Sequence, residues 1–306
     1  MAYIITGGAG FIGSHLAEKL SQDSKVIVID DLSTGKEENL SAFRDRISFV
    51  KCDITEPGEM EKVVSSGDII YHEAALASVS RSIDDPFSSN KVNVEGTLSV
   101  LLAARNKKAK RVIFASSSSV YGDSEKLPKI EDMPYNPKSP YAATKMTAEI
   151  YMQLFWKIYG VETVCLRYFN VFGPRQDPNS EYSAVIPKFI KLMKQGKRPI
   201  IYGDGSQTRD FTYIENVVAA NLLAEKSDAA KGEIINIACS DRISLLELVR
   251  EINVQLKTDI KPIFKPARIG DVKHSQAGIE KAKKILGYAQ KISFSVGLNK
   301  TISGIK

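Results

Sequence analysis

Through its first half the chain alternates short apolar runs with longer amphipathic stretches. Runs of strand length occupy Tyr3–Ile5, Lys25–Ile29, Ile47–Val50, Ile69–Tyr71, Arg111–Ala115 and Glu162–Arg167. Between them, Phe11–Leu20, Gly58–Val64, Asn90–Asn106 and Tyr141–Tyr159 carry apolar residues at helical spacing. Such alternation predicts βαβ units: a parallel sheet, doubly wound by right-handed crossovers, in an α/β fold. After Arg167 the texture changes. Pro and Gly punctuate the chain at Gly173-Pro174, Pro178 and Gly203–Gly205, and helical patterns return at Ala184–Gln195, Ile214–Lys226, Leu245–Leu256 and Ile279–Leu286. This predicts a first domain over residues 1–169 and a second, smaller mixed α/β domain over 170–306, with 210–238 returning to the first. No internal repeat or low-complexity segment interrupts either part.

The first strand ends in Thr6-Gly7-Gly8-Ala9-Gly10-Phe11-Ile12-Gly13. Gly7 permits a tight turn, Gly10 lets the backbone approach a pyrophosphate, and Gly13 allows close helix–strand contact. The helix that opens at Phe11 and Ile12 offers free N–H groups and its positive dipole end to phosphates. Asp30 closes the second strand, where an acid would bond the ribose hydroxyls of a dinucleotide and repel a 2′-phosphate. The expected cofactor is therefore NAD rather than its phosphorylated form. The glycine spacing, GxxGxxG, departs from the commoner GxGxxG. Asp53 and Ile54 after the third strand, Ala74 and Ala75 after the fourth, and Asn93 on the long helix are further candidates to line the cofactor.

Composition narrows the partners. Of 306 residues 25% are charged, evenly spread, with a formal charge of +6 that suits an anionic ligand. The longest basic run, Asn106 to Arg111, lacks interleaved aromatics and reads as a solvated helix end, so nucleic acid is not expected. Cys52, Cys165 and Cys239 stand far apart, and with three histidines in the chain no metal-ligating pattern forms. Separated thiols fit a reducing, cytoplasmic setting, and no segment approaches the ~20 apolar residues of a membrane span.

Catalytic chemistry concentrates in two stretches. The fifth strand ends in Phe114-Ala115-Ser116-Ser117-Ser118-Ser119-Val120-Tyr121-Gly122, and Ser139-Pro140-Tyr141-Ala142-Ala143-Thr144-Lys145 follows. Tyr141 and Lys145 share one helix face, a turn apart. A phenol titrates near 10 in its ordinary state and needs neighbouring positive charge to act as a base at neutral pH. Lys145 would supply it, Tyr141 could then take a carbinol proton while hydride leaves the same carbon, and a strand-end serine could relay the proton.

Taken together, the glycine turn, the serine-rich strand end and the Tyr141/Lys145 pair resemble the extended short-chain dehydrogenases, and within them the UDP-glucose 4-epimerases, over nearly the whole chain. The resemblance implies a Rossmann fold, Tyr141 as base, Lys145 on the nicotinamide ribose and Ser117 as the catalytic serine. It also implies that Asn170, in Leu166-Arg167-Tyr168-Phe169-Asn170, reaches a sugar nucleotide. Arg209 and Arg268 would clamp its diphosphate, a role that suits the guanidinium fork, and Asp271 would face the uridine ribose. Ser275, four residues past Asp271, would line the sugar pocket; a small side chain there leaves room for a 2-acetamido group. The implied activity interconverts UDP-glucose and UDP-galactose, and with that room UDP-GlcNAc and UDP-GalNAc.

Related enzymes on the same scaffold are disfavoured by single residues. Sugar 4,6-dehydratases carry an Asp-Glu pair where this chain has Ser118-Ser119, and UDP-glucuronate decarboxylases keep a glutamate at 119. A UDP-glucuronate 4-epimerase remains the alternative enzyme, and a non-catalytic NAD-binding redox sensor the alternative of another class. The resemblance further implies a homodimer through the two long helices, which carry Val92, Leu98, Leu101, Leu102, Leu154 and Phe155.

Overall fold

The computed structural model describes residues 1–178, 184–266 and 273–305. Seven parallel strands form the central sheet: β1 (Tyr3–Thr6), β2 (Val26–Asp30), β3 (Ile47–Lys51), β4 (Ile69–His72), β5 (Arg111–Ser117), β6 (Glu162–Tyr168) and β7 (Ile234–Ile237). Their order across the sheet is β7-β6-β5-β4-β1-β2-β3. The chain reverses its direction of travel between β1 and β4, and the crevice at that switch, beyond the strands' carboxyl ends, is where this topology places a ligand.

Both faces of the sheet are covered, which explains the unbroken apolar runs. Ile5, Ile113, Leu166 and Ile235 pack to one side with Leu16 and Val217. Their neighbours Ile4, Val112, Cys165 and Ile234 pack to the other with Leu101 and Met152. The first face is covered by α1 (Phe11–Leu20) and α5 (Ile214–Lys226), the second by α2 (Gly96–Lys107) and α3 (Pro140–Tyr159). Each such side chain contributes roughly 1.5–3 kcal/mol on burial. His72, wholly buried and held neutral with its pKa pushed down to about 3 by burial, bridges Thr6 of β1 and Thr97 of α2.

The predicted helix Asn90–Asn106 takes a different form. Asp85 caps a short helix at Pro86–Asn90, a single π-helical turn follows at Lys91–Glu95, and α2 begins only at Gly96. In α3 the local signals agree with the outcome: Ser139 accepts from the Ala142 N–H, Pro140 occupies the first turn, and Gly160 ends the helix at φ +69°.

The remaining elements form a smaller mixed cap. Val171–Phe172 pairs with Thr212–Tyr213, Thr208–Arg209 with Ile243–Ser244, and Ile200–Tyr202 with Ile263–Lys265. Helices α4 (Val185–Lys194), α6 (Leu245–Leu256) and α8 (Phe294–Gly304) accompany them, while α7 (Glu280–Leu286) packs against β7 and α5. Arg111, buried in β5, joins the layers. Its Nη1 donates to the carbonyls of Ala224, Glu225 and Ser227 at 2.8, 2.6 and 2.9 Å, closing the end of α5, while Nη2 pairs with Glu162 at 2.7 Å. Among the described residues no helix is long and apolar enough to cross a membrane, and no cluster of His, Cys, Asp or Glu could hold a metal ion.

Candidate active site

A cavity of about 280 Å³ opens at the topological switch. Gly7, Gly10, Phe11, Ile12 and Gly13 form one wall, and Asp30, Asp53, Ile54 and Ala74 continue it. The glycines are required by close approach. A Cβ on Gly13 would lie 2.3 Å from the Gly7 carbonyl oxygen, and one on Gly7, already at φ +65°, would lie 2.7 Å from the Ala74 backbone. Helix α1 starts with no side-chain cap and no acid in its first turn, so its N–H groups face the cavity unclaimed by side chains.

Asp30 has two tasks. Its oxygens accept from the Ala9 and Leu32 N–H groups at 2.9 and 2.8 Å, tying the glycine turn to the end of β2, and it still lines the cavity. Burial pushes its carboxyl up, against the pull of those two amides. With Asp31 and Asp53 beside it, this end of the cavity holds three carboxylates, an arrangement that fits ribose hydroxyls and opposes an extra phosphate.

Asn93 departs from its expected place. It does not line the cavity; its side chain accepts from the Leu76 N–H at 2.8 Å and donates to the Leu76 carbonyl and the Thr144 hydroxyl. Leu76 does line the cavity, so Asn93 acts on its shape at one remove.

At the opposite end stand Tyr141 and Lys145. Two positions a helical turn apart on α3 fasten it to β5: Lys145 Nζ donates to the Ala115 carbonyl at 2.6 Å, and Glu149 accepts from the Ser116 hydroxyl. Burial raises the Tyr141 phenol, and the nearby Ser117 hydroxyl lowers it. Burial carries the Lys145 ammonium down to about 8, against the charges of Glu73, Glu149 and Cys165.

A second cavity, about 330 Å³, is lined by Ser118, Ser119, Ala142, Lys129, Asn170, Arg209 and Ser275 among others. The structure thus brings Asn170, Arg209 and Ser275 together in one wall, with Ala142, the residue after Tyr141. Asn170, at φ +36°, donates to the Asp210 carbonyl at 3.1 Å, and Arg209 Nη1 donates to the Thr208 carbonyl at 3.0 Å. Arg268 and Asp271 lie outside the described residues.

Two residues of these walls escaped the sequence reading. Glu73, next to the small Ala74, lines the first cavity. Lys129, 2% exposed, lines the second and donates to the Gly122 carbonyl at 2.7 Å. A lysine inside the short loop Leu127–Glu131 carries no sequence signal of burial.

Known proteins are similar to this chain over nearly its whole length. A UDP-glucose 4-epimerase of Mycolicibacterium smegmatis is 37% identical over 99% of this chain and 97% of its own. The structure of a UDP-N-acetylglucosamine 4-epimerase from Methanobrevibacter ruminantium, in complex with UDP-N-acetylmuramic acid, is 41% identical with a TM-score of 0.95, covering 99% of this chain and 97% of that one. That of a UDP-glucuronic acid 4-epimerase from Bacillus cereus, with UDP-glucuronic acid and NAD, is 32% identical with a TM-score of 0.91, covering 100% and 99%. Residues 3–238 match the model of the NAD dependent epimerase/dehydratase family. With that match, and with a glycine cradle and acidic ribose end that fit NAD, the chain belongs to the NAD dependent epimerase/dehydratase family and takes NAD as its cofactor.

Proposed function

We propose that the protein is a UDP-sugar 4-epimerase that interconverts UDP-glucose and UDP-galactose, and UDP-GlcNAc and UDP-GalNAc as well. The observation that carries this reading is the placing of Tyr141 and Lys145 in the wall of the cofactor cavity, with Ala142, the residue after Tyr141, in the wall of the second. Tyr141 takes the proton from the sugar 4-hydroxyl, and Ser117 holds that hydroxyl and steadies the phenolate. NAD, held by the glycine turn and Asp30, would supply the acceptor and donor of hydride at C4. Between the two transfers Asn170 and Arg209 retain the nucleotide while the flat 4-keto ring turns over to present its opposite face, and Tyr141 returns its proton to the 4-oxygen. Arg268 and Asp271 are assigned to the diphosphate and uridine ribose by family likeness. Ser275, small and in the cavity wall, leaves space for a 2-acetamido group.

One observation favours a second substrate, UDP-glucuronate. Lys129 is a buried ammonium in the wall of the second cavity, and the Ser119 hydroxyl beside it is buried without a hydrogen-bond partner. A carboxylate at C5, one bond from the reacting carbon, would satisfy both.

Proton NMR of the anomeric signals decides among the three sugars. Appearance of the galacto isomer from UDP-glucose and UDP-GlcNAc without net NADH supports the first reading, and turnover of UDP-glucuronate alone replaces it with the second. No turnover of any of the three by NAD-loaded protein refutes 4-epimerisation.

A homodimer is also proposed, through an outward stripe that differs from the expected one. Leu101 and Phe155 are core residues and Val92 lines the cofactor cavity, whereas Ile150, Leu154 and Ile158 of α3 are exposed at helical spacing, near Phe87 at 80% exposure. Sedimentation equilibrium of wild type and Leu154→Glu checks it; a monomeric wild type refutes it.

A further inference from the structure

Among the described residues, Glu73 is the one carboxyl at the Tyr141 end of the cofactor cavity, and the mechanism gives it no task. It follows β4, which lies between β1 with its glycine turn and β5 with its serine-rich end, so it sits between the phosphate cradle and the reacting end. Its backbone is fixed: the N–H donates to the Thr6 carbonyl at 3.2 Å, and a Cβ on Gly7 would come within 2.9 Å of its carbonyl carbon. Its side chain is fixed as well. Oε1 accepts from the Tyr168 hydroxyl at 2.9 Å, and Tyr168 in turn accepts from Asn221 Nδ2 at 2.8 Å. The second carboxyl oxygen has no hydrogen-bond partner among the described residues, and the residue lines the cavity.

A carboxyl held here costs desolvation, and burial indeed pushes its pKa up to about 7, against the opposing pull of Tyr168 and Lys145. Asp30, Asp31 and Asp53 belong to the other end of the cavity, at the tips of β2 and β3. Among the described lining residues, Glu73 is therefore the sole acid at the end where hydride must be exchanged. The group received there is cationic when oxidised and neutral when reduced.

We propose that Glu73 is the counter-charge of the nicotinamide end, a fixed carboxylate that makes the protein hold the oxidised cofactor in preference to the reduced one. An enzyme that ends each cycle with its cofactor oxidised gains from this, because the reduced form is then the less tightly held state and returns its hydride readily. Lys145, on the same wall, balances part of the charge and pulls the carboxyl toward its ionised form. The inference rests on the family's cofactor and not on the choice of sugar.

The test needs no sugar. Holoenzyme of wild type and of Glu73→Gln is equilibrated with NAD+/NADH mixtures of known ratio, then rapidly desalted. The ratio retained is read from the fluorescence of the reduced ring. Wild type should retain NAD+ over NADH, and Glu73→Gln should move the retained ratio toward NADH on the order of tenfold, the scale of one partly screened charge at short range. Should the Gln variant fold poorly, Glu73→Leu provides the same comparison without a polar group to bury. A retained ratio equal to that of wild type in either folded variant overturns the proposal. Because 4-epimerisation is read separately by NMR, failure here leaves the sugar reading standing, and the reverse.

Discussion

Replacing Glu149 by Gln tests the tethering of the catalytic helix to the sheet. The Glu149 carboxylate is wholly buried and receives four donors: Ser116 Oγ and Arg167 Nε on Oε1, Tyr135 Oη and Arg167 Nη2 on Oε2. Arg167 is itself 2% exposed, stacked over the rings of Tyr121 and Tyr135, with Glu149 as its one ion-pair partner among the described residues. Gln keeps the volume but turns one acceptor into a donor. One Arg167 contact then meets donor against donor, while the hydroxyl at the same amide nitrogen can turn to accept, and the guanidinium keeps its charge without a counter-ion. Breaking a buried pair from one side costs about 3–5 kcal/mol. At roughly 2–4 °C per kcal/mol for a chain of this size class, the thermal midpoint should fall by about 6–20 °C.

Activity, measured well below that midpoint, should fall on the order of tenfold, because Glu149 fixes the register in which Tyr141 meets Ser117. Calorimetry and urea unfolding supply the stability, and NMR turnover the rate. The double variant Glu149→Met with Arg167→Met removes both charges and should recover most of the lost stability, since an apolar pair of similar volume is often no worse than a buried ion pair. A loss below about 1 kcal/mol for Glu149→Gln would refute the reasoning. A double variant no better than the single would show that packing, not charge, was the loss.

Three further outcomes are expected. Tyr141→Phe removes the proposed base and should lower kcat by about 10²–10⁴ while changing stability by about 1 kcal/mol or less; an active Phe variant would sink the assignment. Burial pushes the Asp210 carboxyl up to about 6, against the pull of the Ala277 and Cys239 amides. With an unfolded value near 3.9, the folded state binds more protons between the two pKa values. Its contribution is then full below about pH 4 and is lost as pH rises through about 6. Urea unfolding should show wild type losing about 3 kcal/mol more than Asp210→Asn between about pH 4 and pH 7, and equal pH slopes would contradict this. Ser275→Tyr should cut UDP-GlcNAc turnover at least about tenfold and leave UDP-glucose turnover nearly intact; equal effects on both sugars would remove Ser275 as the determinant.

What could be read in the sequence depended on how far apart the interacting residues lie. The glycine turn and Asp30 are local signals: a strand, a tight turn and a helix start within Tyr3–Leu20, and an acid closes the next strand. Tyr141 and Lys145 declare themselves by helical spacing alone. Asn93 had no such signal, because its partners Leu76 and Thr144 are 17 and 51 positions away and only the sheet order brings them together. The π-helical turn at Lys91–Glu95 that carries Asn93 is equally silent, since its residues suit an α-helix as well. Arg111 and Arg167 were the missed clues. A guanidinium inside an otherwise apolar strand cannot be left unpaired, so each implied a buried acceptor set elsewhere in the chain: helix carbonyls of α5 for one, Glu149 for the other. Glu73 and Lys129 follow the same rule with one difference. Each has a single side-chain hydrogen bond and a face on a cavity, so the acceptor or donor that would complete it is not among the described residues. A buried charge satisfied within the fold marks structure, and one left partly satisfied at a cavity wall marks where a charged part of the ligand belongs.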